Sequence, residues 1–431
     1  MSNTALNSTP GEAAKSASGS ARVRAALWTL HRWLGIGFAI LLVPISVSGA
    51  LLVWHDHLDA LITPSRYAVS GTQVVQPSTY LASAAQALGA GAPPPAAVRF
   101  PEGEGWPVVV MARAPRTESS PPRLVNVYLD PPTARVLDVV DFRSSLIGFL
   151  HRFHENLTIP EYNGRAIVGW VGVGMLILSL TGIWLWWPRN GAFVPGLRWR
   201  RAPHTTSNLH HLFGFWISIP LAAVSLTGIY LGFPQTAREL MSSVAPMTPQ
   251  GQRPGFGAGA RDARLTPDAA LAAAVASQPG ARPAVIFLPI ARASTAERDR
   301  ARGAEQGRAE GERAQGASQG ARETSESRAV WRVQLRQGES GEITTVMVDD
   351  RSGKADRSPA PLAGDRAAQW IRWIHEGSHS GPVWQFIVFL TGVLPLVFAV
   401  TGVIMWWRGR RQRERLAASR ATGPGELQAA E

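Results

Sequence analysis

Ile374-His375-Glu376-Gly377, followed by the apolar run 383–407, decides how the rest of the chain is read. It sets a histidine at the mouth of a long apolar segment. The same phrase, varied, occurs three more times. Phe153-His154-Glu155 precedes the run 167–187, Leu30-His31-Arg32 precedes 34–54, and Leu209-His210-His211 precedes 212–233. At about 1.5 Å of rise per residue, each run is long enough to cross a hydrocarbon core of about 30 Å. None of the four contains Asp, Glu, Lys or Arg in its interior. The pattern predicts four membrane spans.

The 431 residues carry a formal net charge of +12, which taken alone would invite a nucleic-acid reading. The basic residues are instead distributed by topology. Arg189, Arg198, Arg200 and Arg201 fall in the short segment between the second and third runs, with no acidic residue. Arg408, Arg410, Arg411 and Arg413 follow the fourth run, and Lys15, Arg22, Arg24 and Arg32 precede or open the first. Short positive segments face the cytoplasm. Both termini are therefore expected inside and the two long loops outside, with no nucleic acid as partner. The chain has no cysteine, which excludes disulfides, covalently attached c-type haem and thiolate-held iron–sulfur clusters.

The expected organisation follows in chain order. Residues 1–24 form a disordered cytoplasmic lead and 25–54 the first span. Residues 55–150 form an outer lobe and 151–188 the second span. A basic cytoplasmic loop covers 189–208, and the third span covers 209–233. Residues 234–370 form a second outer lobe, 371–408 the fourth span and 409–431 a cytoplasmic tail. Each lobe reads as a small α+β unit. In the first, an Ala-rich helix over 78–88 is followed by strands over 106–111, 124–129 and 135–140, with Asp130-Pro-Pro-Thr133 as a turn. In the second, Thr266-Pro267-Asp268 caps a helix, and strands follow over 284–289, 330–335 and 344–348. The Arg/Glu/Gly/Ala/Ser-rich stretch 291–328 lacks apolar periodicity and reads as a disordered insertion.

The two halves repeat. His31 to Gly49 and His210 to Gly228 are each 18 residues apart, while His154 to Gly182 is 28 and His375 to Gly402 is 27. A small hydroxyl residue precedes each glycine: Ser48, Thr227, Thr181 and Thr401. The fold class expected is an α-helical membrane bundle of four spans with two small α+β periplasmic lobes, built by internal duplication.

Alternation of the spans sorts the histidines by side. His31 and His210 open helices running outward, so they lie at the inner face. His154 and His375 open helices running inward, so they lie at the outer face, roughly 30 Å away. One ion cannot be shared across that distance, so the pairing is His31 with His210 and His154 with His375. A structural zinc site would want four ligands, and no such set is visible. Haem wants one or two axial imidazoles and an apolar slot between helices. Two b-type haems, one near each face, are the expected cofactors. Gly35, Gly37, Gly169, Gly172, Gly174 and Gly214 are candidates to make room for the porphyrins. His151, His211, His379 and His55 are neighbouring alternatives as ligands, with His57 a further outer-side candidate. Glu155 and Glu376 point about 100° away from the adjacent histidines on a helix and read as surface groups.

At these residues the chain resembles the PepSY-associated transmembrane family. The matching stretches are Leu30-His-Arg-Trp-Leu-Gly35, Phe153-His-Glu-Asn-Leu157, Leu209-His-His-Leu212 and Ile374-His-Glu-Gly377. Thr181-Gly-Ile-Trp-Leu-Trp-Trp-Pro188 and Thr401-Gly-Val-Ile-Met-Trp-Trp407 match the ends of its second and fourth spans, and the turns at Asp130 and Asp350 look like the ends of PepSY modules. The resemblance covers about residues 25–410 except the insertion. It implies an iron-regulated protein of the bacterial inner membrane and haem ligation by His31, His154, His210 and His375. It also implies a ferric-chelate reductase that delivers electrons to a ferric siderophore in the periplasm. Some relatives carry a fused flavin/nicotinamide module; the donor expected here is a separate cytoplasmic reductase or the quinol pool. The competing expectation is a haem-free PepSY protein that binds peptides or restrains a periplasmic protease. A transporter is third, weakened by the absence of charge within the spans.

Overall fold

The computed structural model describes residues 10–114, 123–187, 197, 204–249, 263–289, 329–338 and 341–421. The expected insertion 291–328 and most of the basic loop lie outside the described residues. The chain divides into two compact units, one of residues 1–55, 149–247 and 362–431, the other of 56–148 and 248–361.

The first unit is built on four long helices: α1 (Pro10–Val53), α5 (Gly164–Trp186), α6 (Thr205–Gly232) and α10 (Gly381–Ala421). Their stretches Ala21–Val53, Gly164–Trp186, Thr205–Gly232 and Gly381–Ala418 are long and apolar enough to cross a membrane. Only 22–28% of the most apolar window of each is buried within the protein. Side chains such as Ile40, Ile219, Trp216 and Val383 are exposed. So much exposed apolar surface is stable only against lipid. Pro44, Pro220 and Pro395 lie inside three of the helices; neighbouring helices in a bundle tolerate the backbone groups they free.

Packing runs in a ring, with α1 beside α5, α5 beside α6, α6 beside α10, and α10 beside α1. Small residues set the close approaches. A Cβ at Gly392 would meet Ala50 at 2.7 Å, and one at Gly232 would meet the Gly169 backbone at 2.8 Å. Such contacts let helix backbones approach in lipid, where packing replaces the hydrophobic effect as the cohesive term. Gly169, Gly172 and Gly174 accordingly face Phe233, Ile229 and Phe38. They pack helices rather than line an open slot, against the expectation for these three; nothing lies within 4 Å of a Cβ at Gly37 or Gly214.

The second and fourth spans differ from the expected boundaries. His154 lies on a separate helix, α4 (Leu146–Asn156), and His375 on another, α9 (Ala363–Glu376). Helix α4 stops because Leu157 and Thr158 turn into left-handed backbone with φ of 56° and 62°, and Pro160 brings no N–H to continue the ladder. Helix α9 stops at Gly377, whose φ of 74° is a left-handed C-cap. The segments 151–188 and 371–408 are therefore each a short amphipathic helix, a sharp turn and a span. Two further short helices, α2 (His55–Ile62) and α7 (Pro234–Val244), follow α1 and α6.

The second unit is one antiparallel sheet. Helix α3 (Pro77–Leu88) precedes β1 (Pro95–Arg99), β2 (Val108–Ala114), β3 (Arg123–Leu129) and β4 (Val136–Asp141). Helix α8 (Pro267–Ala276) precedes β5 (Ala281–Phe287), β6 (Val330–Gln337), β7 (Glu342–Asp349) and β8 (Ala355–Arg357). The order is β4-β3-β2-β1-β5-β6-β7-β8. Two separate lobes were expected; instead β1 and β5 pair edge to edge, with Val98 opposite Ile286, and join the two halves. Ala96, Ala97 and Val98 are buried, and an apolar edge of that kind needs a partner strand. A single core then spans both halves, including Tyr80, Val98, Val127, Ala270, Ile286, Trp331 and Val346. Strands β6 and β7 bury alternate residues, as one covered face requires.

Two buried carboxylates tie chain to sheet. Asp130, after β3, accepts from Ser70 N and Oγ at 2.6 Å each and from Thr133 Oγ1 at 2.5 Å. Asp350, after β7, accepts from Arg264 N (2.8 Å), Leu265 N (3.0 Å) and Trp331 Nε1 (2.8 Å). Each holds the chain that leads into α3 or α8. Burial pushes both carboxyls up, but these donors outweigh it and hold both below the usual carboxylate range. Their contribution is present above the unfolded value and is lost as pH falls through the depressed folded values. Replacing Asp350→Ala strands two backbone N–H groups and an indole, a loss of about 2–3 kcal/mol. Amide exchange in β6 and β7 of the full chain should then quicken roughly 30- to 140-fold, read by mass spectrometry; unchanged exchange would show that Asp350 contributes nothing.

Candidate cofactor-binding site

Two histidine pairs occupy opposite ends of the helical unit. His31 on α1 and His210 on α6 have ring centres 6.4 Å apart at an interplanar angle of 81°. His154 on α4 and His375 on α9 have ring centres 6.1 Å apart at 41°. The structure thus brings together the two pairs that the sequence assigns by side.

Each imidazole is fixed through Nδ1. His154 Nδ1 lies 2.9 Å from Ile45 O, and His375 Nδ1 lies 3.0 Å from Val224 O. A carbonyl only accepts, so both Nδ1 atoms carry the proton. Ser48 Oγ and Thr227 Oγ1 stand beside the same nitrogens at 3.3 and 3.2 Å. At the other end, His31 Nδ1 meets Thr181 Oγ1 and His210 Nδ1 meets Thr401 Oγ1, both at 2.9 Å. Those hydroxyls donate to Ile177 O and Val397 O at 2.7 Å, so they accept from the histidines. All four rings hold the proton on Nδ1 and the lone pair on Nε2.

The supporting groups come from the neighbouring helices. At one end α1 and α6 supply the histidines while α5 and α10 supply the threonines. At the other end α4 and α9 supply the histidines while α1 and α6 supply carbonyl and hydroxyl. The two sites meet on α1, where Gly49 touches His154 18 residues after His31. That is about 27 Å of helix, and the same count on α6 separates His210 from Gly228, which touches His375.

The hydroxyl–glycine pairs explain themselves here. The sequence shows them only as repeat markers following a histidine on the same segment. In the fold each pair receives a histidine from another helix: Ser48-Gly49 takes His154, Thr181-Gly182 takes His31, Thr227-Gly228 takes His375 and Thr401-Gly402 takes His210. The anchoring carbonyls of Ile45 and Val224 have no side-chain signature, so nothing in the sequence marks them.

The remaining candidates are placed elsewhere. His211 stands edge-on to His210 with centres 6.3 Å apart. His379 stacks on Trp373 at 4.4 Å. His151 faces His55 at 5.8 Å, and His57 stands edge-on to Trp106 within the sheet unit. Glu155 pairs with Arg165 and Glu376 with Arg372, both at exposed positions. Among the described residues, no three His, Asp or Glu side chains converge as a metal-binding group.

The glycines give a graded expectation. A Cβ at Gly49 would lie 2.6 Å from His154 Cε1, and one at Gly228 would lie 3.0 Å from His375 Cε1. At Gly182 and Gly402 the corresponding distances to His31 and His210 are 3.5 and 3.8 Å, ordinary contacts. Gly49→Ala should cost about 1–3 kcal/mol through the displaced, hydrogen-bonded ring. Gly402→Ala should stay within about 0.5 kcal/mol. Unfolding midpoints of the purified variants decide this, and equal midpoints would contradict the packing described.

No match to the chain was found among curated proteins. The family model for the PepSY-associated TM region matches residues 28–409, nearly the whole chain and all four apolar helices. This multi-pass membrane protein belongs to the PepSY-associated TM family.

Proposed function

We propose that this protein is a di-haem electron carrier of the bacterial inner membrane that passes electrons outward to reduce a ferric siderophore. One observation carries the reading: two pairs of adjacent imidazoles, each ring held through Nδ1, which leaves its lone pair on Nε2. Two imidazoles on opposite sides of one ion, with bonds of about 2 Å and about 1.1 Å from nitrogen to ring centre, have centres about 6 Å apart. The observed separations are 6.4 and 6.1 Å. A site made of two imidazoles suits haem, whose porphyrin supplies the other ligands. A closed zinc site would need two more protein donors.

In this reading His31 and His210 hold the inner haem, and His154 and His375 the outer. Bound haem would supply one-electron redox chemistry at each end of the bundle. Thr181, Thr401 and the carbonyls of Ile45 and Val224 orient the imidazoles and keep the Nδ1 proton in place, which raises the basicity of Nε2. The lipid-facing spans exclude water between the two ends. Electrons would come from a separate cytoplasmic reductase or from quinol. Iron leaves its carrier on reduction, because Fe(II) binds hard oxygen donors far more weakly than Fe(III).

The orientation rests on the basic segments 189–203 and 408–413 and on the positive-inside rule. It places both termini inside and the sheet-forming segments in the periplasm. Internal duplication supports one haem at each end. Residues 31–49 and 210–228 supply equivalent groups, and each half of the sheet is a helix followed by four strands.

The purified, dithionite-reduced protein should show split b-type bands in its visible spectrum. His210→Ala and His375→Ala should each remove about half of that signal. No bands would leave the haem-free reading, a periplasmic peptide-binding or protease-restraining protein, in its place; two unaffected variants would refute the pairing.

A further inference from the structure

A third histidine pair stands beside the outer one. His55, which opens α2, and His151, on α4, have ring centres 5.8 Å apart at 82°. His55 Nδ1 donates to Leu52 O at 3.0 Å, a carbonyl three residues back along the chain, where His154 and His375 use one on another helix. Its lone pair is therefore on Nε2. His151 precedes His154 by three residues on α4, so their Cβ atoms are about 5–6 Å apart on one helical face. The third pair thus lies one helical turn from the proposed outer haem.

The separation distinguishes this pair from the other two. Imidazoles at about 2 Å from one ion have ring centres about 5 Å apart in tetrahedral arrangement and about 6.2 Å apart when opposed. The value of 5.8 Å lies between, a bent arrangement that leaves room for further ligands on one side. The pairs at 6.1 and 6.4 Å lie nearer the opposed limit.

We propose that His55 and His151 form a binding site for a divalent first-row transition metal, and that its cargo is ferrous iron. The site stands on the geometry of the pair, and the identity of its cargo rests on the proposed function. Imidazole is a borderline donor that suits Fe(II) better than the hard oxygens of a ferric carrier do. Among the described residues no third His, Asp or Glu joins the pair as a metal-binding group, so water would complete the coordination of an exchangeable site suited to transit. Iron reduced at this end of the bundle would be taken up there within a turn of helix.

The test uses the full-length purified chain, titrated anaerobically with Co2+ alone by calorimetry and then with Fe2+ in competition. The wild type should bind one Co2+ per chain that His55→Ala, His151→Ala and the gentler His151→Gln do not, and about a hundredfold excess of Fe2+ should displace it. His57→Ala should bind as the wild type does, and the reduced visible bands should be unchanged in all four variants. Equal Co2+ stoichiometry in wild type and variants would overturn the site. Loss of haem bands in His151→Gln would overturn it too, by assigning that ring to haem. A chain without haem bands that loses Co2+ binding in the His55 and His151 variants would sustain the site while removing the proposed function. Because imidazole sites hold Co2+ more tightly than Fe2+, only failure of about a hundredfold excess of Fe2+ to displace Co2+ would overturn iron as the cargo.

Discussion

An imidazole can serve a metal only if one nitrogen keeps a lone pair and the ring is held still. In this bundle both conditions are met by a single hydrogen bond at Nδ1, repeated four times. Much of the helical unit can be understood as what that bond requires. The acceptors sit on helices other than the histidine's own, so the ring must cross to a neighbour. A glycine is next to the hydroxyl in each case, and at Gly49 and Gly228 the ring comes so close that a Cβ would crowd it, whereas at Gly182 and Gly402 a Cβ would make ordinary contacts. The acceptors differ between the ends. A threonine hydroxyl that already donates to its own helix serves the pair His31 and His210, and a main-chain carbonyl serves the pair His154 and His375.

That difference follows from how the histidines arrive. His31 and His210 are carried within continuous long helices, so their neighbours meet them side by side. His154 and His375 are carried on α4 and α9, which break from the spans at left-handed residues. The break lets each ring reach across to α1 or α6 at a level where Ile45 or Val224 exposes its carbonyl. Without Leu157 and Thr158 in left-handed backbone, α4 would continue straight into α5. Gly164, which begins α5, allows the return: a Cβ there would run into the carbonyl oxygen of Asn156.

The spans were legible because a bilayer imposes length and apolarity, and both are visible residue by residue. The pairing of His31 with His210 and His154 with His375 was legible from alternation of the spans, with no knowledge of the packing. The helix breaks were not, since Leu157 and Thr158 are residues that seldom adopt positive φ. Nor was the single sheet: β1 is five residues behind Pro93-Pro94, and its partner β5 is almost 200 residues away. The strands with clear alternation, β6 and β7, were found, while β1 and the three-residue β8 were not. The facing of His55 and His151 carried no spacing signal, because contacts between distant segments leave none in one sequence. The hydroxyl–glycine pairs and their regular spacing are plain in the sequence, but which histidine each one serves depends on the packing.

The central claim is that two metal-centred planes lie in the bundle, each between a pair of Nδ1-anchored imidazoles. A density map of the full-length protein, purified from iron-replete cells and imaged by cryo-electron microscopy, tests it most directly. The account predicts two planar densities, one joining His31 to His210 and the other joining His154 to His375. A map with no density between the facing rings, or with a plane bound to His151 in place of His154, would contradict it.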